Sequence, residues 1–301
     1  MAIEHLVISG GANIGFAFFG TLKTLFTENY LDLDKIKTIH ATSIGTCLAF
    51  YFTAGYSLDD LENYLINRPW KDLYRMDFHA IVRAIQDGGM FDYDVMLESV
   101  KPLLLGKDLS VDITLKEYYD YCGKEINFYS TEYSELKLVR INYKTHPQWK
   151  LVEALYASSC LPVLFTPFLK DGKYYIDGAM IMNYPLLPCL EDGCDPNSIF
   201  GLYHNTSKEV KLLRKSKPFM NADSSYKLLE YMVSLSMKLW THVKHERTER
   251  ENQCKHQIAL NHKTNILDIM KAFELKEERV KLYNVGEMEA RDYLASEASH
   301  M

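Results

Sequence analysis

The feature that most constrains the fold of this chain is a strand-turn-helix pattern used twice near its N-terminus. An apolar run, Leu6-Val7-Ile8, enters a glycine-rich turn that includes Gly10, Gly11, Ala12 and Gly15. It then continues at helical pitch to about residue 28. A second run over residues 38–42 enters Ser43-Ile44-Gly45 and predicts a helix over 44–54. Strands that alternate with helices imply a mainly parallel sheet with helices on both faces.

The alternation continues through the first two thirds of the chain. Ser57 is placed to cap a helix that the Asn67-Arg68-Pro69-Trp70 segment breaks. Further strands are predicted over 125–131, 137–143, 174–176 and 198–203, with helices near 115–119 and over 151–158. After about residue 205 the pattern changes. Leu229, Met232, Leu235, Leu239 and Val243 keep helical spacing across 224–251, and a last helical pair covers 266–273 and 285–294. The expected organisation is an α/β core over 4–205 with a helical C-terminal extension over 206–301 packed on it.

Composition narrows the function classes. With 301 residues, 47% of them hydrophobic, the chain can bury a substantial core. A net charge of −6 gives no footprint for nucleic acid. The six cysteines include no Cys-x-x-Cys pair, which favours reduced thiols in an intracellular compartment. One local disulfide, Cys189 to Cys194, is the alternative. The N-terminal residues lack the basic start and long apolar run of a signal peptide, and no stretch is apolar enough to span a bilayer. The expectation is a cytoplasmic protein, peripheral at membranes where it touches them.

Three motifs carry candidate chemistry. Ser43 follows a strand and opens a helix, with small residues, Ala41 and Gly45, at minus two and plus two. This is the pattern of a nucleophile elbow, whose tight turn exposes a hydroxyl. The turn over Gly10, Gly11, Ala12 and Gly15 can aim backbone N–H groups at an oxyanion, and equally at a phosphate. Read the second way, it is a degenerate dinucleotide fingerprint. The second strand then lacks the acidic residue that would hold a ribose. The third motif is Asp177, which leaves a strand beside Gly178 and Ala179 and can orient and deprotonate Ser43. Asp171, with Gly172, lies between two short strands and is assigned to a hairpin turn.

In order and spacing these motifs resemble one family, the patatin-like phospholipases. Ala157-Ser158-Ser159-Cys160-Leu161-Pro162 resembles the family's segment ahead of the aspartate. Asp177-Gly178-Ala179 followed by Asn183-Tyr184-Pro185 resembles its D-G-[GA] motif with the asparagine-x-proline downstream. The resemblance implies a three-layer α/β/α sandwich. It also implies an acyl hydrolase that uses a Ser43–Asp177 dyad without histidine, and an oxyanion hole from the Gly10–Gly11–Ala12 turn. No catalytic metal or cofactor is expected. The implied substrate is a phospholipid or another acyl ester, met through transient contact with a membrane surface. Ala12 and Ile14 stand where the family carries a third glycine and a basic residue, and Ala41 replaces the first elbow glycine. These departures raise the alternative of a catalytically weakened, lipid-binding or regulatory member.

Other residues invite competing roles. His204 is the candidate third member of a Ser-His-Asp arrangement, with a packing role as the favoured reading. His242, His245, His256 and His262 form a loose group whose spacing matches no metal site. Phe16, Phe18 and Phe19, with Trp70, Tyr74, Met76 and Phe78, are candidates to border an acyl pocket or touch lipid.

Overall fold

A computed structural model describes residues 2–205, 254–262 and 265–299. The predicted helix over 224–251 lies outside the described residues, as do His242 and His245. Ten strands are described: β1 (His5–Ile8), β2 (Thr38–Thr42), β3 (Gly89–Phe91), β4 (Glu125–Glu132), β5 (Lys137–Ile141), β6 (Val163–Phe165), β7 (Phe168–Lys170), β8 (Lys173–Asp177), β9 (Ile199–His204) and β10 (His256–Leu260). The described helices are α1 (Gly15–Thr27), α2 (Ile44–Thr53), α3 (Leu58–Asn67), α4 (Phe78–Asp87), α5 (Tyr93–Leu105), α6 (Leu115–Cys122), α7 (Leu151–Ser159), α8 (Leu186–Glu191), α9 (Ile266–Glu274) and α10 (Lys276–Ser299). The predicted boundaries hold to within two residues in most of the sheet because apolar runs and caps coincide there. Ser57 Oγ accepts from Asp60 N–H at the start of α3, for example.

The main sheet runs β10-β9-β1-β2-β4-β8-β7, with β5 also pairing to β4. From β10 to β4 every neighbouring pair is parallel, and β5, β7 and β8 add antiparallel pairs. In β1, Leu6 and Ile8 point into the larger core and Val7 into a smaller one that includes Leu186 and Cys189 of α8. Helices therefore cover both faces, and the fold is the α/β sandwich expected, with helices in the C-terminal region.

The edges of β4 decide where the two candidate catalytic residues fall. Residues 125–129 of β4 pair with β2 in parallel, and 130–132 pair with β8 antiparallel. β5 pairs with 128–132 and so occupies the other edge. β2 and β8 therefore share one edge of β4 and meet end to end. Thr42 lies opposite Tyr129, and Asp177 lies opposite Ser130.

The region after residue 254 is less separate than the sequence suggests. It supplies β10 to the main sheet, and α10 packs along α1. Arg279 of α10 is buried and, among the described residues, forms no salt bridge. Its guanidinium donates to the carbonyls of Ile66 and Arg68 at the end of α3 and of Ala272 and Phe273 at the end of α9. One cation thus satisfies the terminal carbonyls of two helices, where the helix dipoles favour positive charge. Replacing it by leucine (Arg279→Leu) leaves those acceptors unpaired. We expect a loss of about 2–3 kcal/mol in urea unfolding, and an unchanged midpoint would refute this role.

Candidate functional site

Ser43 stands between β2 and α2 with φ 54° and ψ −129°, a conformation costly for a residue with a side chain. Such backbone strain amounts to about 1–3 kcal/mol and persists only where the surroundings enforce it. Here the enforcing contacts are specific. Ser43 N–H donates to Ser158 Oγ at 3.0 Å, and Ser158 Oγ–H donates to the Tyr129 carbonyl at 2.6 Å. The Ser43 carbonyl accepts from Thr46 N–H at 2.8 Å and from Thr46 Oγ1 at 2.6 Å. Gly45 packs so tightly on β1 that a methyl group there would lie 2.6 Å from the Ile8 carbonyl. Ala41 faces the main core, fully buried, and its methyl group is accommodated.

The side chain of Ser43 donates to Asp177 Oδ2 at 2.6 Å. Ala179 N–H donates to Oδ1 at 2.8 Å, which fixes the carboxylate's second oxygen. Gly178 presses on the Tyr129 carbonyl where no Cβ would fit, so the turn after β8 can lie against β4. Burial pushes the Asp177 carboxyl up to about 7, against the pull of the Ser43 hydroxyl and the Ala179 amide towards the charged form.

The glycine turn lies beside this pair. A methyl group on Gly10 would sit 2.9 Å from Ser43 Cβ. The amides of the turn are not equivalent. Gly10 N–H donates to the Asn183 carbonyl at 3.1 Å, and Gly15 N–H donates to the carbonyls of Ala12 and Asn13. Among the described residues, the amides of Gly11 and Ala12 have no acceptor, and Ala12 takes a positive φ of 48°. Of the four residues expected to supply an oxyanion cradle, two therefore have their amides engaged within the protein. Ile14 is fully buried, so the position that carries a basic residue in the resemblance contributes no charge.

An apolar cavity of ≈ 110 Å³ opens onto Ser43. Phe16, Trp70 and Tyr74 line it, as does Phe273 of α9, and among the described residues no Asp, Glu, Lys, Arg or His does. The rings of Tyr74 and Phe273 stack at 3.9 Å, so the C-terminal region forms part of the wall. Phe18 and Phe19 belong to the core, Met76 packs against it half-buried, and Phe78 is exposed. His204 lies behind the glycine turn, and its Nε2 contacts the His262 carbonyl at 2.6 Å. It does not reach the Ser43–Asp177 pair. His256 sits in β10 against Tyr30. Asp171 occupies the β7–β8 turn and accepts from Trp149 Nε1.

A sequence profile described as Patatin-like phospholipase matches residues 6–190. The chain belongs to the patatin-like phospholipase family. This patatin-like chain is 24% identical over 237 residues to R571, an uncharacterised protein of Acanthamoeba polyphaga mimivirus, spanning 79% of the chain and 76% of that protein. It is 25% identical over 185 residues to the probable lipid hydrolase 463L of Invertebrate iridescent virus 6, spanning 61% of the chain and 62% of that protein. In fold it is similar to VipD from Legionella pneumophila, with a TM-score of 0.55 and 15% identity over 98% of this chain and 67% of that one.

Two residues that organise the patatin-like site lay inside recognised motifs without a role attached. Ser158 holds the elbow amide, and Asn183 pairs with Gly10 through its backbone carbonyl and its Nδ2. Spacing alone does not reveal such contacts, because both partners lie more than 100 residues away.

The raised Asp177 carboxyl has a consequence for stability. An unfolded Asp titrates near 4, and the folded one near 7. Between those values the native state keeps a proton that the unfolded chain has lost, so stability falls as pH rises through this window and is level above it. The penalty is at most roughly 4 kcal/mol. Asp177→Asn is neutral throughout. It should be more stable than the parent at about pH 8, and the gain should vanish near pH 4. Unfolding curves at both pH values give the comparison, and a pH-independent difference argues against the shift.

Proposed function

We propose that the protein is a lipid acyl hydrolase in which Ser43 attacks the acyl carbonyl and Asp177 takes its proton. The observation that carries this reading is the 2.6 Å contact between the Ser43 hydroxyl and the buried carboxylate. As the tetrahedral intermediate forms, the amides of Gly11 and Ala12 hold its oxyanion. Collapse breaks the ester bond, and Asp177 returns the proton to the departing alkoxide. A water molecule then gives a proton to Asp177 and attacks the acyl-enzyme. As the second tetrahedral intermediate collapses, the acyl–Oγ bond breaks, Asp177 returns the proton to Ser43 Oγ and the fatty acid leaves. A carboxyl near 7 suits both halves of this cycle, since it must accept and return a proton near neutral pH. The apolar cavity accommodates part of an acyl chain and disfavours a charged substrate there.

The variant Ser43→Ala should lower hydrolysis of a chromogenic acyl ester at least roughly a thousandfold. It should also abolish labelling by a fluorophosphonate probe while leaving the circular dichroism unchanged. Failure of the folded parent protein to label would favour a lipid-binding role over catalysis. The log of kcat/KM should climb with unit slope below about 7 and level above it, because the base must be ionised.

A membrane surface as the source of substrate fits the same reading. Phe78 and Ile85 are one heptad apart on α4, and both are mostly exposed. α4 also neighbours β3 and β6, whose Phe91 and Phe165 line the cavity. The double variant Phe78→Ser/Ile85→Ser should hydrolyse lipid in vesicles several-fold more slowly and a soluble ester at the parent rate. Equal loss on both substrates would count against membrane contact.

A further inference from the structure

On the face of the sheet opposite the cavity, a second cluster has no part in the chemistry above. His40 lies on β2 between Ile39 and Ala41, which face the main core, and its imidazole points the other way. There it meets Cys189 of α8 and Cys194. One imidazole nitrogen and the two sulfur atoms all lie within 4.8 Å of one another. The turn after α8 brings the sulfurs together. Gly193 takes φ 84° and the Cys194 amide bonds back to the Cys189 carbonyl, so the chain reverses over five residues.

We propose that His40, Cys189 and Cys194 form a structural zinc site, with Asp192 as the fourth ligand, that clamps the end of α8 to β2. Two sulfurs and an imidazole are the donor set that zinc prefers. For the imidazole nitrogen and the two sulfurs, closing to tetrahedral zinc distances takes an inward shift of roughly half an ångström each, and Asp192, which lies outside that trio, turns in to complete the shell. His40 Nδ1 sits 2.8 Å from the Tyr129 hydroxyl. With its proton on Nδ1, the ring donates to Tyr129 and leaves the Nε2 lone pair for a metal, the outer contact that orients ligating histidines. Nε2 is 3.9 Å from Asp192 Oδ2.

The charges also balance. A dication held by two thiolates, a neutral imidazole and one carboxylate leaves a net charge of −1. Arg140 contacts both oxygens of Asp192 at 2.8 Å and offsets it. Burial pushes both thiols up and His40 down to about 3, so without a cation the thiols keep their protons and the imidazole stays neutral. Zinc binding then exchanges one Zn²⁺ for two thiol protons, which leave to solvent. Cys194 is half-buried and gives the ion a way in, whereas Cys189 and His40 are closed off.

The test uses the full chain, reduced and freed of metal, titrated with Co²⁺ under anaerobic conditions. One equivalent should bind, with a thiolate-to-cobalt charge-transfer band and tetrahedral d–d bands, and Zn²⁺ should displace it. Zn²⁺ should also raise the melting temperature. In Cys194→Ser the charge-transfer band should weaken and the affinity fall at least tenfold, while Cys122→Ser should behave as the parent. A parent protein that binds no cobalt, or forms a Cys189–Cys194 disulfide in preference to binding metal, overturns the proposal. So does a band that survives unchanged in Cys194→Ser. X-ray absorption at the zinc edge of the loaded parent gives an answer that does not depend on any variant. Two sulfur neighbours support the site, and a shell of nitrogen and oxygen alone refutes it.

Discussion

The site depends on two strands meeting end to end along one edge of β4. β2 arrives in parallel and stops at Thr42, and β8 arrives from the other direction and stops at Asp177. Neither strand could extend further without displacing the other. Their C-terminal ends therefore bring a hydroxyl and a carboxylate from 134 residues apart to 2.6 Å. The same convergence buries the carboxylate, and burial raises its proton affinity towards neutrality. Proximity and basicity thus come from one geometric cause.

That geometry requires a strained backbone at Ser43, and a small network holds it. Ser158 links the Ser43 amide to the Tyr129 carbonyl, so the elbow, α7 and β4 are tied by one hydroxyl. Gly178 leans on that same carbonyl from the Asp177 side. Tyr129 also contacts His40 through its hydroxyl. Residue 129 therefore joins the Ser43–Asp177 pair to the cysteine-histidine cluster on the opposite face. Tight packing of this kind transmits small displacements, so turns anchored on strands and helices hold a site more precisely than free loops do.

The cavity shows a different logic. Its walls come from the elbow helix, from the segment between α3 and α5, and from α9 near the end of the chain. Each contributes apolar side chains that would be unremarkable in a core. What makes them a pocket is that α9 stands off from Ser43, held there by α10 and by Arg279. An apolar space beside a polar pair suits a substrate with a long hydrocarbon arm and one reactive carbonyl.

Local signals settle most of the core in the sequence alone. Apolar runs followed by glycine turns marked β1, β2 and their helices, and the order of Ser43, the Ala157–Pro162 segment and Asp177 marked the family. Those features are legible because each depends on residues close together in the chain. The segment spanning α4 and α5 carries no continuous helical pattern in the sequence, since Gly88 and Gly89 interrupt it and Pro102 sits inside α5. β10 has no signature in the sequence because its five residues of mixed polarity become a strand only when β9 offers an edge. Which amides of the glycine turn stay available, which phenylalanines face the cavity and which cysteines meet His40 were decided by tertiary structure alone. Each depends on partners distant in sequence, and hydrogen bonding, burial and charge act through space without regard to chain order.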